Sequence, residues 1–438
     1  MITAARVSRG WHAIDRYAGG LALDLVLYGA STVFALVTAV ASTLPSHRSW
    51  GLIAVWGYAA CALLTAGQLL RPRHAGPMHR AAVTAAAFAG VTVLPLIVLA
   101  GRRAPGPAHA PQLAHAQEEV LVVEQAGARL LHTGSPYLGT DAIAGLPEPE
   151  RLLGYVPYQP GMSLFGLPRA LAGVHWWTDA RIWFALVTTI AVLAAARIAA
   201  GSLRVAVTRA PAIRALQAVA ALPICALTLA TGGDDLPVLA LCLLALACVA
   251  AHRFGAAGLA AGAAATLKLF AWPVVIVLVV LAAARGYRPA TLFCAGAAGI
   301  PLLTALPEWL FAGSAMVENV LWFPLGYGVV SSPAGSHLPG YLIARTLPGG
   351  SFIAGALLFC AGLAIGLRLL SRPPRSAATA AAVCAFGLLV AILLMPSTRF
   401  GYLLYPAALL LWVPVLRARV RIRPPGPGRP AVVPEMLR

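Results

Sequence analysis

The chain has 438 residues, 60% hydrophobic and only 11% charged, with a formal net charge of +18. Soluble domains carry about 25% charged residues, so a soluble globular protein is excluded. Nucleic acid is excluded as a partner too, because the arginines sit beside apolar spans, where cytoplasmic loops concentrate them for topology.

Apolar segments of the length that crosses a ~30 Å hydrocarbon core as a helix recur along the chain. They do not alternate polar and apolar residues, as strands of a membrane barrel would. The spans read at about 21–44, 50–70, 80–101, 180–200, 213–230, 236–251, 256–284, 289–306, 351–370, 376–395 and 400–416. The first is expected to be retained, being too long for a signal-peptide core. The expected fold is an all-α polytopic membrane protein with about 11–12 transmembrane helices. Its expected parts are an N-terminus at 1–20, three spans in 21–101, an outer segment at 102–179, central spans in 180–306, a second outer segment at 307–350, C-terminal spans in 351–416 and a basic tail at 417–438. The seven cysteines all fall in apolar segments without a CxxC pair, so neither a metal centre nor a disulfide framework is expected.

Arginines assign the sides. Arg6, Arg9 and Arg16, then Arg71, Arg73 and Arg80, then Arg197, Arg204, Arg209 and Arg214 mark cytoplasmic segments if the first four spans alternate. The span at 256–284 breaks the alternation, since Arg253 precedes it and Arg285 and Arg288 follow it. A single crossing would also put Arg417, Arg419, Arg421 and Arg423 outside. The segment is therefore expected to be a hairpin of two short helices, broken near Lys268 and Pro273, with both chain termini cytoplasmic. Eleven of the fourteen acids lie between Glu118 and Glu318 in segments that this map puts outside, which suggests an outer-face site or a solvated surface.

Lys268 is the only lysine in the chain. An ammonium in hydrocarbon costs at least ~2.5–3.5 kcal/mol, so it needs a partner. The single acid within a span, Asp24, lies near the cytoplasmic end, which leaves the phosphate of a lipid-linked substrate as the expected partner of Lys268. Arg399, in "MPSTRFGYLLYP" with Tyr402, stands at the outer mouth of the last span and suits snorkelling or a phosphate clamp.

In the outer segments, "HAQEEVLVVEQAGARLLHTGSPYLG" puts Glu118 and Glu119 at the start of a short amphipathic helix. They fit either favourable N-terminal helix charge or a general base at the membrane surface. "YVPYQPGMSLFGLP", with Tyr155 and Tyr158, reads as interfacial anchors or groove walls. Asp179 and Arg181 begin the fourth span as a capping acid and an interfacial arginine, or as substrate contacts. "TGGDDLP" places Asp234 and Asp235 in a tight outer turn, where one acid suits helix capping and the pair would attract a cation or substrate. His337 is the only histidine of the second outer segment and is a candidate proton carrier.

These blocks resemble glycosyltransferase family 87, the actinobacterial polyprenol-phosphate-mannose-dependent α-mannosyltransferases of the GT-C class. "EEVLVVEQAGARLLHTGSPY" looks like that family's first-loop pattern, and "YVPYQP", "GLAAGAAATLKLFAWP" and "RFGYLLYPA" resemble its later blocks in the same order. The resemblance implies a multi-helix GT-C fold with an extracytoplasmic site, a polyprenyl-phosphate sugar donor and no nucleotide sugar; no cofactor is expected, a divalent cation at the Asp234–Asp235 turn being the alternative. The family's key acid, usually Asp, corresponds to Glu119 here, after a third span rather than a first.

The expected activity is sugar transfer, with mannose the first choice, from a polyprenyl-phosphate donor in the cell membrane to a glycolipid or glycan acceptor on the outer face. Glu119, Glu118 and His337 are the expected catalytic groups. Lys268, Arg399, Tyr155, Tyr158, Asp179, Arg181, Asp234, Asp235 and Tyr402 are the expected substrate contacts. A transporter or lipid flippase is the alternative from a different class, since it too would use a buried cation and broken helices. A non-catalytic envelope scaffold is the third.

Overall fold

A computed structural model describes residues 17–70, 76–103 and 115–418. The N-terminal arginines Arg6, Arg9 and Arg16, the loop arginines Arg71 and Arg73, and the tail beyond Ala418 lie outside the described residues. Among the described residues the chain is helical, with one isolated β-bridge between Gly335 and Thr398.

Among the described residues eight helices are long and apolar enough to cross a membrane: Ala18–Ala41, Pro45–Leu70, Pro77–Arg103, Ala180–Ala200, Tyr287–Leu325, Gly350–Ser371, Ala377–Leu394 and Phe400–Arg417. A ninth is formed by Ala210–Ala220 and Pro223–Thr231, bent by 41° at the break before Pro223. Asp235–Ala250, Phe254–Ala265 and Leu269–Ala283 are shorter apolar helices. They are packed inside the bundle: Leu236, Val238, Leu239, Leu243 and Leu246 are buried. The long helices instead turn large apolar side chains outward, among them Trp56, Leu303, Phe311 and Phe359, as lipid-facing helices do.

One boundary departs from the sequence reading. Helix Tyr287–Val317 runs on through Pro301 and Pro307 and a π-turn at Glu318–Trp322, so the start of the expected second outer segment is helical. Prolines normally stop a helix because they remove a backbone donor and crowd the preceding turn. In an apolar setting the remaining backbone groups are best satisfied by continuing the helix, and Leu302, Leu306, Trp309 and Leu310 here are exposed as a lipid-facing stripe would be.

The segment at 256–284 goes in and comes back. Phe254 at its start and Leu281 and Arg285 at its end line one small cavity with Val249, His252, Ser376 and Leu416. Its first arm runs alongside Tyr287–Val317 through Gly258, Gly262 and Gly296, where the backbones touch. The break at the tip leaves carbonyls without helical partners, and in a membrane protein these must be satisfied internally. The first outer segment does this: the Gln159 N–H donates to the Leu267 carbonyl (3.1 Å) and the Gly161 N–H to the Thr266 carbonyl (2.9 Å). Helix Asp235–Ala250 has 16 residues, so the tip lies about 24 Å from the opposite end at 1.5 Å per residue.

That opposite end carries a buried ionic knot. Asp24 receives Arg80 (2.6 Å) and Arg214 (2.7 Å), and Gln217 Nε2 donates to the same carboxylate at 3.2 Å. Two arginines that mark the cytoplasmic side in the sequence therefore also join the N-terminal helices to the central bundle. Tyr58 adds a second tie, donating to the Ala221 carbonyl at 2.9 Å.

The hairpin has a sidedness that labelling can read. In a background with the native cysteines replaced, cysteines at Ser376 and His252 are expected to react with an impermeant maleimide only from the cytoplasmic side. One at Trp176 is expected to react only from outside. Labelling of Ser376 and Trp176 from the same side would overturn the returning hairpin.

Candidate active site

Outer helix Glu118–Thr133 begins where Gln117 is extended (φ −78°, ψ 162°), which leaves Glu118 and Glu119 in its first turn. Carboxylates are favoured there by the exposed N–H groups and the helix dipole. The helix buries Val120, Val123, Ala126 and Gly127, and Gly127 packs on Gly166. Glu119 Oε1 accepts an ion-paired hydrogen bond from Arg399 Nη1, with the arginine side chain 30% exposed and the glutamate 14%. Glu119 Oε2 is buried and makes no hydrogen bond. Among the described residues the Arg399 side chain makes no other hydrogen bond, so its remaining guanidinium N–H groups are unengaged there. Its backbone is clamped by the second outer segment: Thr398 N–H donates to the Ala334 carbonyl and Ser336 N–H to the Thr398 carbonyl, both at 2.9 Å.

Lys268 has its partners in the Asp234–Asp235 turn. Its ammonium lies 2.7 Å from Asp234 Oδ2 and 2.6 Å from Asp235 Oδ1. The Tyr405 hydroxyl donates to Asp235 Oδ1 at 2.8 Å. The rings of Tyr402, Tyr158 and Phe270 surround the ammonium at 5.2, 5.4 and 5.9 Å from their centroids, within reach of cation–π attraction. Phe270 stacks on Tyr405 at 5.2 Å. Lys268, Asp234 and Asp235 are all buried. This corrects the expectation that Lys268 awaits a phosphate as its first partner: helix Asp235–Ala250 begins at the level of the hairpin tip and delivers two carboxylates there.

Tyr158 lies beside the Lys268 ammonium. Burial, then the negative charges of Asp234 and Glu119, push its phenol well above the ordinary value of 10.0. Glu118 is raised above its ordinary 4.5 by burial and by neighbouring Glu119, against a lowering by Arg399.

The other expected contacts lie elsewhere. Asp179 and Arg181 pair with each other (2.8 Å), and Arg103 joins Asp179 (2.8 Å) to Glu124, which also receives Arg169 at 3.2 Å. Arg181 also donates to the carbonyls of His115 and Ala230. Asp179 and Arg181 are buried, so this network fastens the first outer segment to the bundle and does not face a substrate. Tyr155 stacks on Phe323 at 4.1 Å and donates to Glu318 at 2.8 Å, pinning the second outer segment. His337 is exposed and lies edge-on to Tyr341 at 5.8 Å, without a hydrogen bond. It is next to Ser336, which holds the Arg399 strand, but it is not in the ion-paired group.

Four residues of the cluster escaped the sequence reading: Gln117, His47, Phe270 and Tyr405. Gln117 stands directly before the two glutamates and Tyr405 three residues after Tyr402, signals that were available. His47 had none, being 70 residues from its partner Gln117. Among the described residues no group of three or more His, Cys, Asp or Glu could hold a metal ion.

Two outcomes follow from these pairings. Lys268→Met leaves two buried carboxylates without their counter-charge and is expected to lose about 3–5 kcal/mol of stability, read as thermal unfolding in detergent. An unchanged unfolding temperature would show that the ammonium is dispensable to the fold. For Glu118 the raised pKa means that the folded state holds its proton more tightly than the unfolded chain. Its stability contribution is present below the ordinary carboxylate pKa and is lost as pH rises through the raised one. Glu118→Gln should therefore raise the melting temperature at neutral pH, with the difference closing in acid; a pH-independent difference would contradict this.

The profile of "Glycosyltransferase family 87" matches residues 155–396, more than half of the chain. The match includes Tyr158, the Asp234–Asp235 turn and Lys268, and leaves Glu119 before it and Arg399 just after it. Two solved structures are similar at low identity. The apo state of ArnT from Cupriavidus metallidurans has a TM-score of 0.43 at 19% identity over 77% of this chain and 59% of that one. ArnT from Cupriavidus metallidurans bound to undecaprenyl phosphate has a TM-score of 0.45 at 17% identity over 77% and 60%. The chain thus spans less than two thirds of the length of ArnT. No curated protein matches it. The profile match over most of the bundle and the blocks that surround its buried charges identify the chain as a membrane glycosyltransferase belonging to family 87.

Proposed function

We propose that the protein transfers a sugar, mannose being the first choice, from a polyprenyl-phosphate donor to a hydroxyl of a glycolipid or glycan acceptor at the outer face of the cell membrane. The observation that carries this reading is the incomplete pairing of Glu119 and Arg399. One oxygen of Glu119 and one nitrogen of Arg399 are bonded to each other, while Glu119 Oε2 is unbonded and Arg399 is the most exposed charge of the group. A general base needs a free lone pair within reach of the attacking hydroxyl, and a leaving phosphate needs unengaged charged donors.

In this reading the acceptor hydroxyl gives its proton to Glu119 and its oxygen forms a bond to the anomeric carbon. The bond from that carbon to the phosphate oxygen breaks, and the electron pair leaves on the polyprenyl phosphate. The guanidinium of Arg399 stabilises that charge. Phosphate leaves well as an anion, so no second carboxylic acid is required, unlike glycoside hydrolysis. The buried Lys268–Asp234–Asp235 group, with the Tyr158 and Tyr402 rings over its ammonium, serves in this reading as the support beside the pair. The arginine distribution supports an outer position for this end of the bundle, and the exposed apolar helices beside it suit a prenyl chain in the bilayer.

The two members of the pair should separate in a kinetic test with purified protein in nanodiscs and radiolabelled polyprenyl-phosphate mannose. Glu119→Gln is expected to lower turnover by about 10²–10⁴-fold while polyprenyl phosphate still binds. Arg399→Met is expected to weaken polyprenyl phosphate about ten- to a hundredfold, as loss of a charged hydrogen bond of ~1.5–3 kcal/mol predicts. Full turnover by Glu119→Gln would remove Glu119 as the base.

A further inference from the structure

The three N-terminal membrane helices lie outside the family match, yet one of their residues reaches the candidate site. His47 stands in the first turn of helix Pro45–Leu70, at the end of the bundle away from the Asp24 knot. Its Nε2 lies 2.8 Å from Gln117 Nε2. An amide nitrogen only donates, so the imidazole nitrogen accepts. Gln117 is the cap residue directly before Glu118 and Glu119. Its backbone N–H donates to the Thr231 carbonyl at 2.9 Å, and its side-chain oxygen lies 3.3 Å from the Thr231 hydroxyl. Residue 232 must be glycine for this approach, because a Cβ there would lie 2.4 Å from Gln117 Oε1. Two residues further on, Asp234 and Asp235 hold Lys268. Gln117 therefore joins the helix that carries the candidate base to the turn that carries the buried acids, and His47 holds the other end of its amide.

We infer that His47 is a positioning residue for Glu119: it fixes the Gln117 amide, and through it the start of helix Glu118–Thr133, so that Glu119 stands opposite Arg399. Gln117 stands two residues before Glu119, which is ion-paired with Arg399, so histidine, amide, base and arginine are linked in series. The N-terminal helices are on this account part of the active site and not only a membrane anchor. The inference rests on the reading of Glu119 as base.

The test compares His47→Phe, His47→Gln and Glu119→Gln in the full chain, with polyprenyl-phosphate mannose as donor and a membrane lipid extract as acceptor. Phenylalanine keeps the ring volume and removes the acceptor; glutamine restores a carbonyl acceptor. His47→Phe is expected to lower kcat by about ten- to a hundredfold, the cost of a misplaced catalytic group. Binding of polyprenyl phosphate and the melting temperature should stay near wild type, and His47→Gln should recover most of the loss. Gln117→Met cuts the same link from its other side and is expected to reproduce the kcat loss, so it decides the matter if His47→Phe is unstable. Normal kcat in both His47→Phe and Gln117→Met, with Glu119→Gln inactive, would overturn the positioning role alone. An active Glu119→Gln would overturn the reading of the base instead.

Discussion

The ammonium of Lys268 is the constraint on which the outer half of this bundle depends. An unpaired charge in an apolar interior costs several kcal/mol, and a paired one is tolerated only with good geometry and further hydrogen bonds. Meeting that demand at one point fixes four segments. The helix beginning at Asp235 must start level with the hairpin tip to deliver its carboxylate. The tip must stay open at Thr266–Lys268 for the side chain to reach across. The carbonyls freed by that opening must be met by the N–H groups of Gln159 and Gly161. The last span must present Tyr402 and Tyr405 inward, one over the ammonium and one on Asp235. The short lengths of the two hairpin helices follow from this break.

The charges of the protein divide by how completely they are paired. Asp24 with Arg80 and Arg214, and Asp179 with Arg103 and Arg181, are sealed and multiply bonded. Removing one partner of such a group strands the other in a low-dielectric interior, which makes these groups architectural. The Lys268 group is equally buried but walled by aromatic rings. Among the described ion pairs, the Glu119–Arg399 pair combines partial exposure with unused bonding capacity on both sides. A site that must exchange partners during a reaction needs that combination, since a fully satisfied network has nothing to offer a substrate.

Much of the fold could be read because topology leaves a one-dimensional record. Arginines beside spans imply a sidedness, and the conflict between Arg253 and Arg285 points to the hairpin. The pairing of charges left no such record. Asp234 and Asp235 were legible as an unusual doublet in an outer turn, but whether that turn or a ligand meets Lys268 depends on the depth of the turn, which helix length in the folded bundle decides. Asp179 and Arg181 looked like rim residues because their partners Arg103 and Glu124 are distant in sequence. Tyr155 and Tyr158 are three residues apart in one proline-rich block, and only the packing against Phe323 sends Tyr155 away from the site. The apolar run was read as ending at 306, and helix Tyr287–Val317 continues past it through Pro307 because its surroundings stay apolar.

The N-terminal helices illustrate how a segment outside a family's shared region can become inseparable from it. They are fastened at both ends of the bundle. At one end Asp24 neutralises Arg214, and Gln217 lies within bonding distance of Asp24, Tyr28 and Thr84. In mid-bundle Tyr58 covers the Ala221 carbonyl at the bend before Pro223, where the helix cannot satisfy it. At the other end His47 holds Gln117. Without these helices a central arginine would be buried without its acid and the bend carbonyl would lose its donor, each a cost that a lipid surround cannot relieve. The arrangement couples the stability of the N-terminal helices to the position of the first outer helix, so that a change in one is felt where Glu119 meets Arg399.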